Sequence, residues 1–117
     1  MNSFTKAHRL QKADDYSSVF VFRKVRNGTY FKIHYKPNEL QHSRLGFIVS
    51  KKNHKRANRR NYMKRIIREY FRTHQQLWLP TDLIIRVQKP YTHAIIKDIL
   101  TELDYLCYKF LKERKKS

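Results

Sequence analysis

A run of positively charged residues in the middle of the chain is the strongest chemical feature of this sequence. Between residues 51 and 72 a single carboxylate, Glu69, opposes these cations. The cations are Lys51, Lys52, Lys55, Arg56, Arg59, Arg60, Lys64, Arg65, Arg68 and Arg72. Guanidinium groups donate paired hydrogen bonds to phosphate oxygens. This segment is therefore suited to binding a polyanion.

Part of this run has the spacing of one side of a helix. Residues 56, 60, 64, 68 and 72 are all Lys or Arg, and on a helix each would lie about 6 Å from the next. Like charges at this spacing cost an isolated helix about 0.2–0.5 kcal/mol per pair. A solvated helix face normally mixes both signs, whereas a bound phosphate backbone would offset the repulsion. We therefore expect this helix to bind nucleic acid.

Aromatic residues provide a second candidate for nucleic-acid contact. The chain has 8 Tyr and 7 Phe, more than a core of this size needs. Unpaired bases stack on exposed rings, and each stack is worth about 1–3 kcal/mol. The candidates are Tyr16, Phe20, Phe31 and Tyr35. For each ring, stacking and ordinary core packing both stay open, because the sequence does not reveal which face of a sheet is uncovered.

Residue types that carry catalysis or bind metals are not grouped in this sequence. The 6 His residues are scattered, with no pair at the spacing of a metal-binding or catalytic motif. The single cysteine, Cys107, falls in an apolar helical stripe, so we expect a buried thiol. Asp14 and Asp15 suit a helix start, where the helix dipole favours negative charge. We predict neither a catalytic residue nor a metal bound by the protein alone.

The overall charge and length restrict the class of protein further. The chain of 117 residues has a net charge of +18, and such a domain repels itself unless a polyanion screens it. No apolar run approaches the ~20 residues of a membrane-spanning helix. The amino end lacks a secretory signal, so we expect a cytoplasmic protein. We predict one domain over residues 1–117, with frayed ends at about 1–8 and 114–117.

Hydrophobic periodicity predicts the element order α-β-β-α-β-α, with a further short strand near residues 23–26. The predicted helices cover residues 12–20, 57–74 and 92–111, and the predicted strands cover residues 31–36, 46–50 and 83–87. Thr92 is expected to cap the last helix, whose apolar stripe includes Ile95, Leu100 and Leu111. This order implies an α/β (α+β) two-layer sandwich, with one mixed sheet of about four strands and three helices.

Two segments of the chain resemble the bacterial ribonuclease P protein family. They run from Arg44 to Lys52 and from Arg56 to Arg72, and the ordered resemblance extends from about Leu10 to Leu111, including the strand at Asp82 to Pro90. The family motif reads Arg-Asn-Arg, then a hydrophobic residue and Lys-Arg. Arg60-Asn61 and Lys64-Arg65 match this motif. Tyr62 stands where the second Arg is usual.

The resemblance implies a function as well as a fold. It implies that the crossover through the basic helix is left-handed, against the usual rule. It also implies a ribonucleoprotein endonuclease in which a catalytic RNA with Mg²⁺ removes the 5′ leader of precursor tRNA, without requiring a protein oligomer. The residues implied to contact the catalytic RNA are Lys51, Lys52, Lys55, Arg56, Arg59, Arg60, Asn61, Lys64, Arg65, Arg68 and Arg72. Those implied to contact the leader are Tyr16, Phe20, Phe31, Tyr35, Arg86 and Lys89.

The residues alone leave two other functions open. A plain RNA-binding protein, such as a small ribosomal component, would use the same basic helix. A nuclease using its own His and Lys is less favoured, because no base, nucleophile and orienting group converge by spacing. Adding the protein to the catalytic RNA at low Mg²⁺ would identify a ribonuclease P subunit. Cleavage by the protein free of RNA would indicate a nuclease.

Overall fold

A four-stranded mixed sheet carries the fold, seen in a computed structural model that describes residues 6–52 and 56–113. Its strands, in the spatial order β1-β2-β4-β3, are β1 (Lys24–Asn27), β2 (Phe31–Pro37), β3 (Arg44–Ile48) and β4 (Thr81–Val87). The α-helices are α1 (Ala13–Phe22), α2 (Ala57–His74) and α3 (Ile96–Cys107). Short 3-10 turns cover Lys6–His8, Gln75–Leu77, His93–Ile95 and Tyr108–Phe110. The predicted mixed sheet with three helices is confirmed.

Alternation along β2 sends its side chains to opposite faces of the sheet. Phe31, Ile33 and Tyr35 are buried in the main core, which α2 and α3 cover. Their polar neighbours point to the other face. β4 lies between β2 and β3 and is buried at every position except Arg86. A central strand covered on both faces explains the nearly continuous apolar run from Leu83 to Val87.

The other face of the sheet is covered in part by α1, through a small core of Leu10, Val19 and Ile84. The carboxylate of Asp15 accepts the backbone N–H of Lys12 at 3.3 Å, which confirms the predicted helix start. Helices therefore lie on both faces of the sheet. The larger helical layer is the one formed by α2 and α3.

Close contacts hold α1 against the sheet. Ser18 Oγ accepts a hydrogen bond from Lys36 Nζ of β2 at 2.7 Å. A Cβ atom on Gly46 of β3 would lie 2.6 Å from the ring of Tyr16, so only glycine allows this approach. The Tyr16 hydroxyl hydrogen-bonds with the backbone of Phe47, and burial raises its pKa.

A largely buried ion pair extends this attachment. Asp82 of β4 accepts hydrogen bonds from Arg44 Nε at 2.9 Å and Arg44 Nη2 at 2.7 Å. Asn38 Nδ2 donates to the same carboxylate at 2.8 Å. The hydrogen bond to Asp82 is the main cause of the raised pKa of Arg44. Arg44 Nη1 lies 3.7 Å from Asp15 Oδ1, so the network reaches the first turn of α1.

The connection between β3 and β4 confirms the predicted strand–helix–strand crossover, because the two strands are parallel and α2 joins them. The left-handed sense of the crossover stays a prediction. Helix α2 has the bounds that periodicity predicted. It buries Met63, Ile67, Tyr70 and Phe71 against the sheet and α3.

Helix α3 also supports the turn between β1 and β2. The carboxylate of Glu102 accepts the backbone N–H groups of Thr29, Tyr30 and Phe31 at 2.9, 2.8 and 2.8 Å. These groups have no partner in the β1–β2 ladder at the turn, so one side chain satisfies three donors. Cys107 is buried in α3, as predicted, and burial raises the pKa of its thiol.

Two expectations about the last helix are wrong. Thr92 makes no side-chain capping bond, and a 3-10 turn over His93–Ile95 precedes α3. Leu100 is 39% exposed and lies outside the core. Within the amino end that the sequence predicts to be frayed, residues 6–8 form a 3-10 turn, and His42 Nε2 lies 2.9 Å from the Ala7 carbonyl oxygen. Residues 1–5 and 114–117 of the predicted frayed ends lie outside the described residues.

Candidate nucleic-acid interface

The basic residues of α2 are displayed by a helix whose apolar side is buried. Arg59, Asn61 and Arg65 are exposed. The row at every fourth residue is more enclosed, because a spacing of four exceeds the 3.6 residues of one turn and the row drifts around the helix. Its half-buried members are Arg60, Lys64, Arg68 and Arg72. The cations of α2 are therefore spread across its solvent-facing side and do not form one straight row.

A shallow depression lies on this solvent side. It has a volume of about 290 Å³ and is lined by Asn58, Asn61, Tyr62, Arg65 and Arg68. Two guanidinium groups and two carboxamides thus border one concavity. All four groups can donate hydrogen bonds to phosphate oxygens. Asn58 was not among the predicted contacts.

The charges of α2 are almost uncompensated. Glu69 Oε1 accepts from Arg72 Nη2 at 3.1 Å, and this pairing is the main reason why the pKa of Glu69 is lowered. The positive charges of Arg65 and Arg68 lower the same pKa further. Among residues 6–52 and 56–113, no carboxylate forms an ion pair with Lys64, Arg65 or Arg68. These three cations are available to an external anion.

The other cations predicted for this surface lie at or before the start of α2. Lys51 and Lys52 are exposed in the turn that follows β3. Arg56 is exposed at the N-cap of α2. Lys55 lies outside the described residues. The described cations therefore extend the basic surface from α2 to the end of β3.

A second basic surface lies beside α1, on the face opposite the main core. Lys32 of β2 and Arg86 of β4 are register partners on this face, and Arg86 is exposed. Two residues further along β2, on the same face, His34 packs edge-on against Phe20 of α1, with ring centroids 4.8 Å apart. Tyr16 is half-buried on the same side. We call the surface formed by Tyr16, Phe20, Lys32, His34 and Arg86 the α1 cleft.

The environment of His34 shows that the α1 cleft is positively charged. Its Nε2 atom is shielded from solvent and has no hydrogen-bond partner within the described ranges. Burial lowers the pKa of His34, and the charges of Lys32 and Arg86 lower it further. The imidazole is therefore neutral at pH 7. Two cations and a neutral ring system form a surface that suits a single strand of nucleic acid, with its phosphates and its bases.

The structure corrects two of the predicted leader contacts. Phe31 is 0% exposed and packs edge-on against Tyr91. Tyr35 is 7% exposed and packs edge-on against Phe110. The prediction that these rings stack on bases is wrong, because they point into the main core. Lys89 is exposed just after β4.

The sequence reasoning missed Lys32 and His34, although the signal was present. Both alternate with the apolar residues of β2, so they had to lie on the face of the sheet opposite Phe31 and Tyr35. The missing information was the position of α1. A helix that covers only part of that face leaves these polar residues in a cleft.

Two cationic surfaces on a mixed α+β sheet define this protein as a small domain that binds polyanions. Residues 4–111 match the profile of the ribonuclease P family. The chain belongs to the ribonuclease P protein family, and it is therefore a subunit of the ribonuclease P endoribonuclease, which functions with ribonuclease P RNA in tRNA processing. None of the comparisons favours a ribosomal component.

Two relatives and one solved structure support this assignment over most of the chain. The ribonuclease P protein component of Azoarcus sp. (strain BH72) is 52% identical over 91 residues, which cover 78% of this chain and 76% of that protein. The component of Aromatoleum aromaticum is 47% identical over 103 residues, covering 86% and 87%. The structure of the Staphylococcus aureus ribonuclease P protein has a TM-score of 0.77 and 31% identity, covering 86% of this chain and 93% of that one.

The described part of the chain contains no group of three or more His, Cys, Asp or Glu side chains that could hold a metal ion. It also contains no helix that is long and apolar enough to cross a membrane.

Proposed function

We propose that the solvent side of α2 binds the phosphate backbone of ribonuclease P RNA. The observation that carries this proposal is the concavity in which Arg65 and Arg68, without carboxylate partners among the described residues, meet Asn58 and Asn61. Bound phosphates would relieve the mutual repulsion of these cations. The exposed Lys51, Lys52, Arg56 and Arg59, together with Arg60, Lys64 and Arg72, extend the same contact. Lys55, which lies outside the described residues, belongs to the same proposal from its sequence position.

We further propose that the α1 cleft binds the 5′ leader of precursor tRNA. Lys32 and Arg86 contact leader phosphates, while Phe20 and Tyr16 stack on leader bases. Lys89, exposed at the end of β4, extends this basic surface. The position of the cleft supports the proposal, because it lies on a different element from α2 and can bind a second RNA segment at the same time. The protein would thereby assist removal of the leader.

The proposed reaction depends on Mg²⁺ bound in the complex with RNA. The described residues offer no carboxylate cluster for this ion, and the cations of α2 repel it. The residues of this chain are therefore not proposed to bind Mg²⁺. What its own residues do is bind the two RNAs and reduce the repulsion between their backbones. We propose that this takes place in the cytoplasm, where precursor tRNA is processed.

The experiment adds the protein to a bacterial ribonuclease P RNA at low Mg²⁺ and measures cleavage of precursor tRNA with a long leader and with none. Replacing Lys64 and Arg68 with Ala should weaken binding to the catalytic RNA for both substrates. The slope of log affinity against log salt should become shallower by about 0.7–0.9 per lost phosphate contact. Lys97→Ala, which removes an exposed cation of α3, is the matched control.

A second pair of variants tests the α1 cleft separately. Phe20→Ala should leave assembly with the catalytic RNA unchanged and weaken binding of the long-leader substrate by about 1–3 kcal/mol, the value of one base stack. Phe22→Ala removes a ring that is 43% exposed near the end of the same helix, outside the cleft, and serves as its control. Equal losses on both substrates would refute the leader assignment.

A further inference from the structure

Tyr62 occupies an unusual position among the polar residues of α2. Its side chain is half-buried and packs against the rim of the main core. Its hydroxyl oxygen is shielded from solvent and has no hydrogen-bond partner among the described residues. The hydroxyl therefore cannot reach an external ligand. What Tyr62 offers to the surface depression is the face of its ring.

The guanidinium group of Arg65, on the next turn of the helix, lies over that face. The Arg65 Cζ atom lies 5.8 Å from the centroid of the Tyr62 ring, within the range of a cation–π contact. The two residues are three apart, so they lie on adjacent turns of the same side of α2. Both line the depression with Asn58, Asn61 and Arg68.

The contact with Tyr62 leaves the N–H donors of Arg65 free, unlike the ion pair that Arg72 forms on the same helix. Arg72 donates its Nε and Nη2 hydrogens to Glu69, both at 3.1 Å, so a carboxylate occupies its hydrogen-bonding edge. A ring face attracts the guanidinium group without accepting its N–H bonds, which lie in the guanidinium plane. Arg65 can therefore be held by Tyr62 while its donors still point to an external acceptor.

We propose that Tyr62 is a positioning residue that holds the Arg65 guanidinium in place for paired hydrogen bonds to a phosphate of ribonuclease P RNA. This inference rests on the proposed binding of RNA by α2. A long, exposed Arg side chain loses conformational freedom when it binds, and a contact that restricts it beforehand reduces that cost. Tyr62 acts through Arg65 and does not touch the phosphate. The neighbouring Arg68 does not depend on it.

The test is a double-mutant cycle on the affinity for ribonuclease P RNA. Tyr62→Leu should weaken binding about two- to five-fold, the factor expected for an exposed cation–π contact. Its salt slope should stay unchanged, because the charge of Arg65 remains. Arg65→Ala should weaken binding about ten-fold or more and make the slope shallower. Adding Tyr62→Leu to Arg65→Ala should cause no further loss, whereas adding it to Arg68→Ala should cause the full two- to five-fold loss.

Two conservative variants separate positioning from folding. Tyr62→Phe keeps the ring and should bind RNA as the unaltered protein does, because the lost hydroxyl makes no bond. Tyr62→Trp offers a larger ring face and should retain affinity. If Tyr62→Leu unfolds by circular dichroism, Tyr62→Met, which also lacks a ring and has an unbranched side chain that suits a helix, replaces it in the comparison with Tyr62→Phe.

Different failures have different meanings. Losses that add in the Tyr62–Arg65 cycle as they do in the Tyr62–Arg68 cycle would overturn the positioning role and leave RNA binding by α2 intact. A loss for Tyr62→Phe equal to that for Tyr62→Leu would also overturn it, since the ring would then not be the active feature. If neither Arg65→Ala nor Arg68→Ala changes affinity or salt slope, the proposed RNA contact of α2 fails, and this inference fails with it.

Discussion

The pairing of Lys32 with Arg86 predicts opposite effects of one substitution on stability and on binding. The two residues are direct register partners across β2 and β4. No carboxylate pairs with either one in the part of the chain that the structure describes. Like charges directly opposite one another destabilise a sheet by about 0.2–1 kcal/mol. Replacing Arg86 with Gln removes this repulsion and should raise the melting temperature of the free protein by about 1–5 °C.

The same substitution should weaken binding of precursor tRNA. Arg86 is exposed near His34, where we propose that the leader lies. Losing one phosphate contact to a single strand should make the slope of log affinity against log salt shallower by about 0.7. A leaderless substrate should bind as it does to the unaltered protein.

Thermal unfolding by circular dichroism and substrate titration at several salt concentrations measure the two effects. Lys97→Gln, which alters an exposed cation on α3, should change neither. A lower melting temperature for Arg86→Gln would mean that Arg86 makes a stabilising contact and that the repulsion argument is wrong. An equal loss of affinity for the leaderless substrate would separate Arg86 from the leader.

Three further predictions concern the attachment of α1 and the α1 cleft. Gly46→Ala should destabilise the protein and weaken binding of long-leader substrate together, because its Cβ would displace the ring of Tyr16; denaturant unfolding and titration measure both. Arg44→Met should lower the free energy of unfolding by about 3–5 kcal/mol, since it leaves the carboxylate of Asp82 buried without a cation; a loss below about 1 kcal/mol would contradict this. The lowered pKa of His34 means that the unfolded chain binds more protons between that pKa and 6.5, so stability should fall as pH falls through this window; His34→Gln should flatten this part of a stability–pH curve.

The sequence predicted the elements better than it predicted their faces. The bounds of α2 followed from the spacing of Met63, Ile67, Tyr70 and Phe71, because a helix with one buried side has a clear period. The polar surface of β2 could also be read from its alternation. The alternation does not reveal which face of β2 lies against the larger helical layer, because this depends on how distant elements pack. Phe31 and Tyr35 were assigned to the cleft for that reason.

The candidate site was predictable where charge density carried the signal. The cations of α2 could be named from the sequence, but the depression around Asn58 and Tyr62 could not. The depression depends on the directions of the side chains around the helix. The sequence showed Tyr62 only as a departure from a motif, and its contact with Arg65 is evident only in the three-dimensional structure.

The two cores of this protein differ greatly in size, and this difference has a consequence for its dynamics. Among the described residues, the core beneath α1 has three buried side chains with a few half-buried neighbours, whereas the opposite core has eighteen buried side chains, drawn mainly from β2, β4, α2 and α3. Segments with few buried apolar contacts open more often than the rest of a protein, and their amide hydrogens exchange faster with solvent. We therefore expect helix α1 to detach more readily than α2 or α3 while the sheet stays folded. The wall of the cleft proposed to receive the leader would then open more readily than the opposite layer, and a bound RNA strand would slow its exchange.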